Sequence, residues 1–527
     1  MFTQKIIHQL EKLIDIGIGL SAEKDTAQLL EKIVLGAKSI TYADGGSLFL
    51  KQDDIMAITI FQSDSLGLFF NDCNRDFMDR PTVPLYLKNG EPNLHNVVSY
   101  AYHKDEAVNI NDAYDTVNFD FSGTKKFDKE NGYRSKSFLA IPLKNHLGET
   151  IGVLQLINAL DSITTKIINF NPISQRVTEA LASQAAAVLT KQALINDLEA
   201  MFESMIKLIA TAIDKKSPYT GEHCRRVPEL TMMLAEAAHN TDYGYLQDFQ
   251  LNDADRYELK VAGWLHDCGK VTTPEHIIDK ATKLETIFDR VHLLETRFEV
   301  IKRDQEITLL KQQLAELQGN DSLSPQRQAT LDASTTYLND EFAFIKHCNI
   351  GGEFMSEADI QRLQSLKTIN WVLNNVNTPL LSDEELHNLS ITKGTLTAEE
   401  RKIINNHINT TIAMLEAVKF PKHLQKVTEY AGGHHERMDG KGYPKGLVRE
   451  QMSIPARVMA IADIFEALTA KDRPYKQGKT LSEALAILEK MKMDNHIDPD
   501  LHDAFIAHKI YKTYADMFLD EQQIDAD

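Results

Sequence analysis

The chain has 527 residues, 43% of them hydrophobic and 25% charged, and a formal net charge of −19. This length suffices for about three domains of ordinary size, each with its own hydrophobic core. The acidic balance excludes a general binder of DNA or RNA, because a polyanion requires a basic surface, whereas a small anionic substrate remains compatible with a metal site.

The cysteines and the apolar segments predict a cytoplasmic protein. The charged residues in the first 20 positions argue against a signal peptide. No apolar run approaches the roughly 20 residues that a membrane-spanning helix requires, so we expect no membrane association. The four cysteines are widely separated and form no CxxC pair, which favours a reducing compartment. They are Cys73, Cys224, Cys268 and Cys348.

The N-terminal third of the chain combines helical and strand-like patterns. Residues 3–40 have apolar side chains at helical spacing and predict two helices. Residues 46–52 and 55–62 predict a pair of strands, and residues 137–159 predict a hairpin with its turn at Asn145–Gly148. Two helices, an antiparallel sheet and a closing helix together indicate an α+β sensor-like domain.

Two phrases in this region, GYRSKSFLAIPL and GETIGVLQLINA, are similar to strands of GAF domains. The resemblance implies a GAF-like sensor domain over residues 1–175, in a family that binds cyclic nucleotides, haem or other small ligands. Members that bind cyclic nucleotides carry Asn-Lys and Asp-Glu pairs. Here Ala159 follows Asn158, and after Phe170 the pair Ser174-Gln175 stands in place of the acidic pair. The ligand therefore stays unknown, and a ligand-free dimerisation domain is the alternative.

A long helical pattern without internal glycine or proline predicts a connecting helix at residues 176–215. Its apolar side chains fit a heptad repeat, which predicts a parallel homodimer helix that carries the sensor state onward. Position a holds Leu181, Val188, Ile195, Phe202 and Ile209, and position d holds Gln184, Lys191, Leu198, Met205 and Ala212. Lys191 favours the alternative, an ordinary helix packed on either domain.

The C-terminal half contains two motifs rich in metal-type side chains, WLHDCGK at 264–270 and HHERMDGKGYPKGL at 434–447. Together with three further segments they resemble the HD-GYP family of metal-dependent phosphodiesterases. The resemblance implies an all-α HD-type domain at 216–515 and a tail at 516–527. It also identifies seven metal ligands, here called the seven-residue cluster. They are His223, His266, Asp267, His407, His434, His435 and Asp463.

Hydrolysis of a phosphodiester at neutral pH needs an activated water and neutralisation of charge on the phosphoryl oxygens, which two adjacent metal ions can supply. The resemblance assigns the bridging role, and a catalytic one, to Asp267. It assigns one metal to His223, His266 and Asp463, and the other to His407, His434 and His435. Histidine-rich sites suit iron or manganese, with zinc and nickel as alternatives, better than magnesium.

Further residues are expected to contact substrate. Lys270 follows Asp267 on the same helical face, so its ammonium is expected to reach the scissile phosphate, the alternative being a solvated lysine. In the family, the loop at 439–444, here called the GYP loop, borders the substrate site and is implicated in contacts with diguanylate cyclase partners. The residues that the resemblance assigns to substrate are Lys270, Asp439, Gly442, Tyr443, Pro444, Arg473, Tyr475 and Lys476.

Two features depart from the family pattern. Tyr219 occupies the place of a glutamate that holds a third metal in some members, so two metals are expected. The 140 residues from Asp267 to His407 (407 − 267) exceed the usual step and indicate an insertion at about 284–391. Its apolar spacing predicts a helical hairpin and a smaller helical piece. A lid, a dimer contact, a partner dock and a structural elaboration are the alternatives.

The combined resemblance implies a bacterial enzyme, regulated by its GAF-like domain, that hydrolyses cyclic di-GMP to pGpG and onward to GMP in some members. Three alternatives stay open. The substrate could be 3',3'-cyclic GMP-AMP, because only the base contacts differ. The protein could instead be a cyclic dinucleotide receptor with slow turnover, or a scaffold for cyclase partners.

Overall fold

The computed structural model describes residues 2–23, 25–71, 82–216, 222–316, 325–351, 354–471 and 478–526. The chain divides into two compact units, Met1–Phe202 and Glu203–Asp527. Within the described ranges, no helix is both long and apolar enough to cross a membrane.

The N-terminal unit is built around one antiparallel sheet. The strand order is β3-β2-β1-β7-β6-β5, with β4 paired to β2 and β8 to β7. The strands are β1 (Ala43–Gln52), β2 (Ile55–Ser63), β3 (Leu68–Asn71), β4 (Thr82–Pro84), β5 (Val108–Ile110), β6 (Phe138–Lys144), β7 (Thr150–Leu160) and β8 (Ile167–Ile168). The helices are α1 (Phe2–Ala22), α2 (Thr26–Thr41), α3 (Val97–Lys104), α4 (Ser122–Asn131) and the start of α5 (Pro172–Lys216). The α+β prediction, including the hairpin at 137–159, is confirmed.

Both faces of this sheet are covered by apolar side chains. Adjacent residues of a strand point to opposite faces, so Leu48 packs with α2 and α5 whereas Phe49 packs with α3. Leu181 of α5, predicted at heptad position a, is completely buried in the first of these cores and is therefore not available to a helix pair. The long helix therefore begins as part of the sensor domain before it continues beyond residue 202.

Among the described residues of the C-terminal unit, the regular structure is helical apart from one small hairpin. Its first helices are α6 (His223–His239), α7 (Asp253–Leu265), α8 (Glu275–Ile278), α9 (Val291–Glu316), α10 (Pro325–Asn349), α11 (Glu357–Leu366) and α12 (Asp383–Leu389). They are followed by α13 (Ala398–Asn405), α14 (His407–Glu416), α15 (Val427–Gly432), α16 (Ile454–Thr469), α17 (Leu481–Met493), α18 (Pro499–Ala507) and α19 (Ile510–Phe518). The two strands are β9 (Asn370–Leu373) and β10 (Val376–Pro379).

The insertion has a hydrophobic core of its own, formed by side chains from Leu284 to Leu389. Helices α9 and α10 pack together as the predicted helical hairpin. The β9–β10 hairpin was not predicted. Its turn, Asn374-Asn375, has positive φ angles of 52° and 63°, the conformation of a two-residue hairpin turn that asparagine tolerates.

Candidate metal centre

The ends of four helices bring most of the seven-residue cluster together. His223 and His407 are the first residues of α6 and α14. The pair His266-Asp267 lies directly after α7, and the pair His434-His435 lies one residue beyond α15. Asp463 alone lies inside a helix, α16. Helix α6 packs against α16, and α7 packs against α15. Residues separated by up to 240 positions in the sequence (463 − 223) therefore share one buried site.

A glycine allows the two halves of the site to approach each other. The turn Cys268–Thr272 packs against α14, and a Cβ atom on Gly269 would lie 2.0 Å from the carbonyl oxygen of His407. The Gly269 amide donates a hydrogen bond of 2.9 Å to the Thr411 hydroxyl. Asp267, two residues before this glycine, consequently lies next to His407.

Backbone carbonyls orient three of the histidines in the same way. The Nδ1 atoms of His266, His407 and His434 each lie 2.6–2.7 Å from the carbonyl oxygen of the residue three positions earlier. A carbonyl only accepts hydrogen bonds, so Nδ1 carries the proton and the lone pair of Nε2 points into the site. This arrangement is typical of metal-binding histidines.

Imidazole nitrogens face each other across the site. His266 Nε2 lies 3.3 Å from His223 Nε2, and His435 Nε2 lies 3.2 Å from His407 Nε2. Asp267 Oδ1 and His434 Nε2 are buried and have no hydrogen-bond partner among the described residues. Unsatisfied buried acceptors are unfavourable unless a cation lies beside them. The cluster therefore fits metal ions.

The cluster separates into two groups that could each hold a metal, and the ligand atoms of each group lie within 4.8 Å of one another. The first group is His223, His266 and Asp267, and the second is His407, His434 and His435.

Asp267 faces both groups. Its Oδ2 lies 3.1 Å from His223 Nε2, and its Oδ1 lies 3.2 Å from His407 Nε2. Asp463 Oδ1 lies 3.4 Å from His223 Nε2. These distances agree with the expected bridge and with the expected division of the ligands, which stay predictions.

The protonation states of His434, His435 and Asp267 suit metal binding. Burial would lower the pKa of His223, but Glu466, Asp267 and Asp463 raise it well above its usual value, so a metal ion there would compete with a proton. Burial lowers the pKa of His435 to about 4, and burial together with neighbouring histidines lowers the pKa of His434 well below its usual value. Both imidazoles are thus neutral at pH 7. Burial would raise the pKa of Asp267, but Lys270 and His266 hold it well below its usual value, so this carboxylate is ionised.

Lys270 reaches the site from the turn after α7. Its Nζ lies 2.5 Å from Asp267 Oδ2, and its backbone amide donates a hydrogen bond of 2.9 Å to the Asp267 carbonyl. The lysine is thus held by a 3₁₀ turn rather than by the α-helix that the sequence analysis predicted. Its ammonium is partly exposed and adjacent to the cluster, as expected of a group that contacts substrate.

The GYP loop folds back onto the second group of histidines. The Tyr443 ring stacks on the His435 ring with centroids 4.8 Å apart, and Pro444 follows through a cis peptide bond. Asp439 accepts hydrogen bonds of 3.0 and 2.8 Å from Arg437. Its carboxylate therefore orders the loop itself, and its predicted contact with substrate is untested. Arg473, Tyr475 and Lys476 lie outside the described residues.

Gly442 is required for this fold of the loop. A Cβ atom at this position would lie 2.4 Å from the Arg437 amide nitrogen and 2.5 Å from Glu436 Cα. We therefore expect Gly442→Ala to destabilise the protein by about 1–3 kcal/mol and to lower turnover by displacing Tyr443. Thermal unfolding and turnover would be measured beside Gly123→Ala, whose added Cβ meets no atom within 4 Å. Wild-type values for Gly442→Ala would contradict the prediction.

Sequence reasoning missed two charged residues beside the cluster. Glu466 contacts the Nδ1 atom of His223, and Arg226 contacts Glu466. The only available signal was their spacing, since each lies three residues after a predicted ligand, Asp463 or His223, on the same helical face.

The matches to known families agree with the division of the chain into the units Met1–Phe202 and Glu203–Asp527. Residues 25–189 match the GAF domain, and residues 220–342 and 382–501 match two models of the HD domain. The chain therefore contains a GAF domain followed by an HD domain, as the sequence resemblance predicted.

Curated relatives match shorter segments of the chain. A 3'3'-cGAMP-specific phosphodiesterase 1 of Vibrio cholerae is 41% identical over 15% of this chain and 18% of its own length. A cyclic di-GMP phosphodiesterase of Thermotoga maritima is 36% identical over 25% of this chain and 34% of its own length. A cyclic di-GMP phosphodiesterase of Pseudomonas aeruginosa is 38% identical over 21% of this chain and 26% of its own length. The chain thus spans at most about a third of these relatives.

Among solved structures, the GAF domain of a phosphoenolpyruvate-protein phosphotransferase from Coxiella burnetii is 18% identical. The match covers 36% of this chain and 98% of that chain, with a TM-score of 0.28.

Proposed function

We propose that this protein is a metal-dependent phosphodiesterase of the HD-GYP type that hydrolyses cyclic di-GMP to linear pGpG and, in a second step, to GMP. The observation that carries the proposal is the position of Asp267, whose two oxygens face two separate groups of histidines at 3.1 and 3.2 Å. One carboxylate between two metal-type groups is the arrangement that two-metal phosphoester hydrolysis uses.

The proposed reaction adds water to one phosphorus atom and breaks its bond to the ribose 3' oxygen. When bound, two divalent cations supply an activated water and neutralise charge on the phosphoryl oxygens. The chain's own contribution is to fix the ligand atoms, to exclude bulk water and to place the Lys270 ammonium near the phosphate. A cation aimed at developing charge in a buried site stabilises the transition state more than the ground state.

The second candidate substrate is 3',3'-cyclic GMP-AMP. A relative from Vibrio cholerae that carries this specificity in its name is 41% identical over 80 residues of the chain. The phosphate chemistry is the same for both substrates, and only the contacts to one base differ. A binding receptor without turnover and a scaffold for diguanylate cyclases at the GYP loop are further alternatives.

The test is a comparison of kcat/KM for cyclic di-GMP and 3',3'-cyclic GMP-AMP on protein purified without oxygen and loaded with iron or manganese. We expect cyclic di-GMP to be cut faster, with pGpG as the first product. Faster cleavage of the mixed dinucleotide would replace the proposed substrate. Tight binding of both without product would support the receptor instead.

We also propose that α5 pairs in parallel with the same helix of a second copy and that the GAF domain regulates the enzyme in the cytoplasm through it. The support is an apolar stripe on α5, where Ile195 and Leu198 remain 37% and 51% exposed. Leu194 and Met201 are also exposed and widen this stripe beyond the predicted heptad positions. A contiguous exposed apolar surface is typical of a protein interface.

Disulfide trapping tests this pairing. We expect Leu198→Cys to form a covalent dimer under mild oxidation on a non-reducing gel, because position d residues of a parallel pair face each other. Asn196→Cys, on the opposite and solvent-exposed face of the helix, is the matched control. Equal trapping of both variants, or of neither, would count against the pairing.

A further inference from the structure

The orientation of His223 differs from that of the three histidines that bond to backbone carbonyls. His223 is the first residue of α6, and the residue three positions before it lies outside the described residues. Its Nδ1 instead donates a hydrogen bond of 2.6 Å to Glu466 Oε2. Glu466 is 1% exposed, so this contact takes place away from solvent.

Arg226 completes the arrangement behind His223. Its Nε donates a hydrogen bond of 2.7 Å to Glu466 Oε1 and balances a carboxylate that would otherwise be buried without a cation. His223 and Arg226 lie three residues apart on α6, and Asp463 and Glu466 lie three residues apart on α16. Each helix therefore places one side chain in the cluster and one in the ion pair between Arg226 and Glu466.

We propose that Glu466, held by Arg226, is the positioning residue that fixes the ligand tautomer of His223. It thereby sets the metal affinity of the position formed by His223, His266 and Asp463. This inference rests on the metal-binding part of the proposed function.

The chemistry of the carboxylate explains the assignment. An ionised carboxylate accepts hydrogen bonds and never donates them, so it stabilises the proton on Nδ1 and leaves the lone pair of Nε2 toward the metal position. Its negative charge also raises the basicity of the imidazole more than a neutral carbonyl does. Glutamine has nearly the same shape, but its amide can also donate, which would stabilise the tautomer with the proton on Nε2.

The experiment counts metal ions rather than turnover. Metal-free protein is titrated with Mn²⁺ by calorimetry in the absence of nucleotide, and bound metal is measured after desalting. We expect wild-type protein to bind two ions per chain. In Glu466→Gln one of the two ions should bind about 10–100-fold more weakly, the usual cost of losing a partner behind a metal ligand. Two ions bound with wild-type affinity in this variant would overturn the proposal.

A matched control is present in the same chain. Glu385 is also buried and also pairs with an arginine, accepting hydrogen bonds of 2.7 and 3.0 Å from Arg297 within the insertion. Glu385→Gln should lose stability and still bind two ions with unchanged affinity. An equal loss of metal in both variants would mean that general destabilisation is responsible, and the positioning role would be rejected.

A second variant locates the effect. In a His407→Ala background only the metal position near His223 should keep its affinity for Mn²⁺. Adding Glu466→Gln should then lower the affinity of that position. A loss of affinity confined to the other metal position would contradict the assignment.

Arg226→Gln replaces Glu466→Gln if the latter shows no cooperative thermal unfolding. It keeps Glu466 in place, so the expected loss of Mn²⁺ affinity is smaller. An unchanged affinity would again overturn the proposal.

The result is independent of the substrate. A protein that binds two ions, loses one in Glu466→Gln and leaves cyclic dinucleotides intact would refute the proposed phosphodiesterase while supporting the role of Glu466.

Discussion

Replacing Asp267 by alanine is expected to reduce cyclic di-GMP turnover by roughly a thousandfold or more, equivalent to about 4 kcal/mol of transition-state stabilisation. Asp267 is 2% exposed and its two oxygens face both histidine groups, so its loss would remove a ligand from both proposed metal positions. Asp463 would then be the one carboxylate left in the seven-residue cluster, which is little negative charge with which to hold two dications close together. Initial rates and bound metal would be measured on the same preparation.

Asp289→Ala is the control for this substitution. Asp289 accepts hydrogen bonds from Thr282 and Asn349 at the base of the insertion, so the variant removes a structural carboxylate that is not part of the cluster. It should keep both metals and most of the activity. An Asp267→Ala protein that retained two metals and wild-type turnover would show that the bridge is assigned to the wrong residue.

Replacing Lys270 by methionine is expected to lower kcat by about 100–1000-fold, the range observed when one group that stabilises transition-state charge is removed. Methionine keeps the length and apolar stem of the side chain and removes only the ammonium. Metal stoichiometry should be unchanged, because the amine contacts Asp267 from outside the two histidine groups. Loss of kcat with two metals still bound would distinguish a role toward phosphate from a role in metal binding.

The control for Lys270 is a lysine on the preceding helix. Lys260 of α7 lies over the Trp264 ring with its Nζ 5.1 Å from the ring centroid and contacts no residue of the cluster in the described structure. Lys260→Met should leave kcat within about twofold of the wild-type value, as surface substitutions usually do. If Lys270→Met behaved in the same way, Lys270 would be an ordinary solvated lysine.

Much of the fold could be predicted because local patterns determine it. The hairpin at 137–159 carries runs of apolar residues on both sides of an Asn145–Gly148 turn, and β6 and β7 form there. The insertion was correctly predicted to contain a helical hairpin, whereas its β9–β10 hairpin was missed. Asn374-Asn375 between short apolar segments was the available signal, and four-residue strands are too short for periodicity to identify them.

The residue types of the candidate site could be predicted from the sequence. The side chains that hold its histidines in place could not. The metal-type side chains occur in short motifs, but the contact between His223 and Glu466 joins residues 243 positions apart. No local pattern encodes which carboxylate lies behind a given imidazole, because helix packing decides it. The placement of His266 and Asp267 at the end of α7 was also missed, because the residue at which a helix ends is poorly determined by its sequence.

The most direct test of the two-metal account is a titration of metal-free protein with Mn²⁺ in which bound metal and pGpG formation are followed together. The account predicts little turnover with the first equivalent and full turnover only when the second ion binds, because Asp267 faces both histidine groups. Turnover that is complete with one ion per chain, or absent with two ions bound, would contradict it.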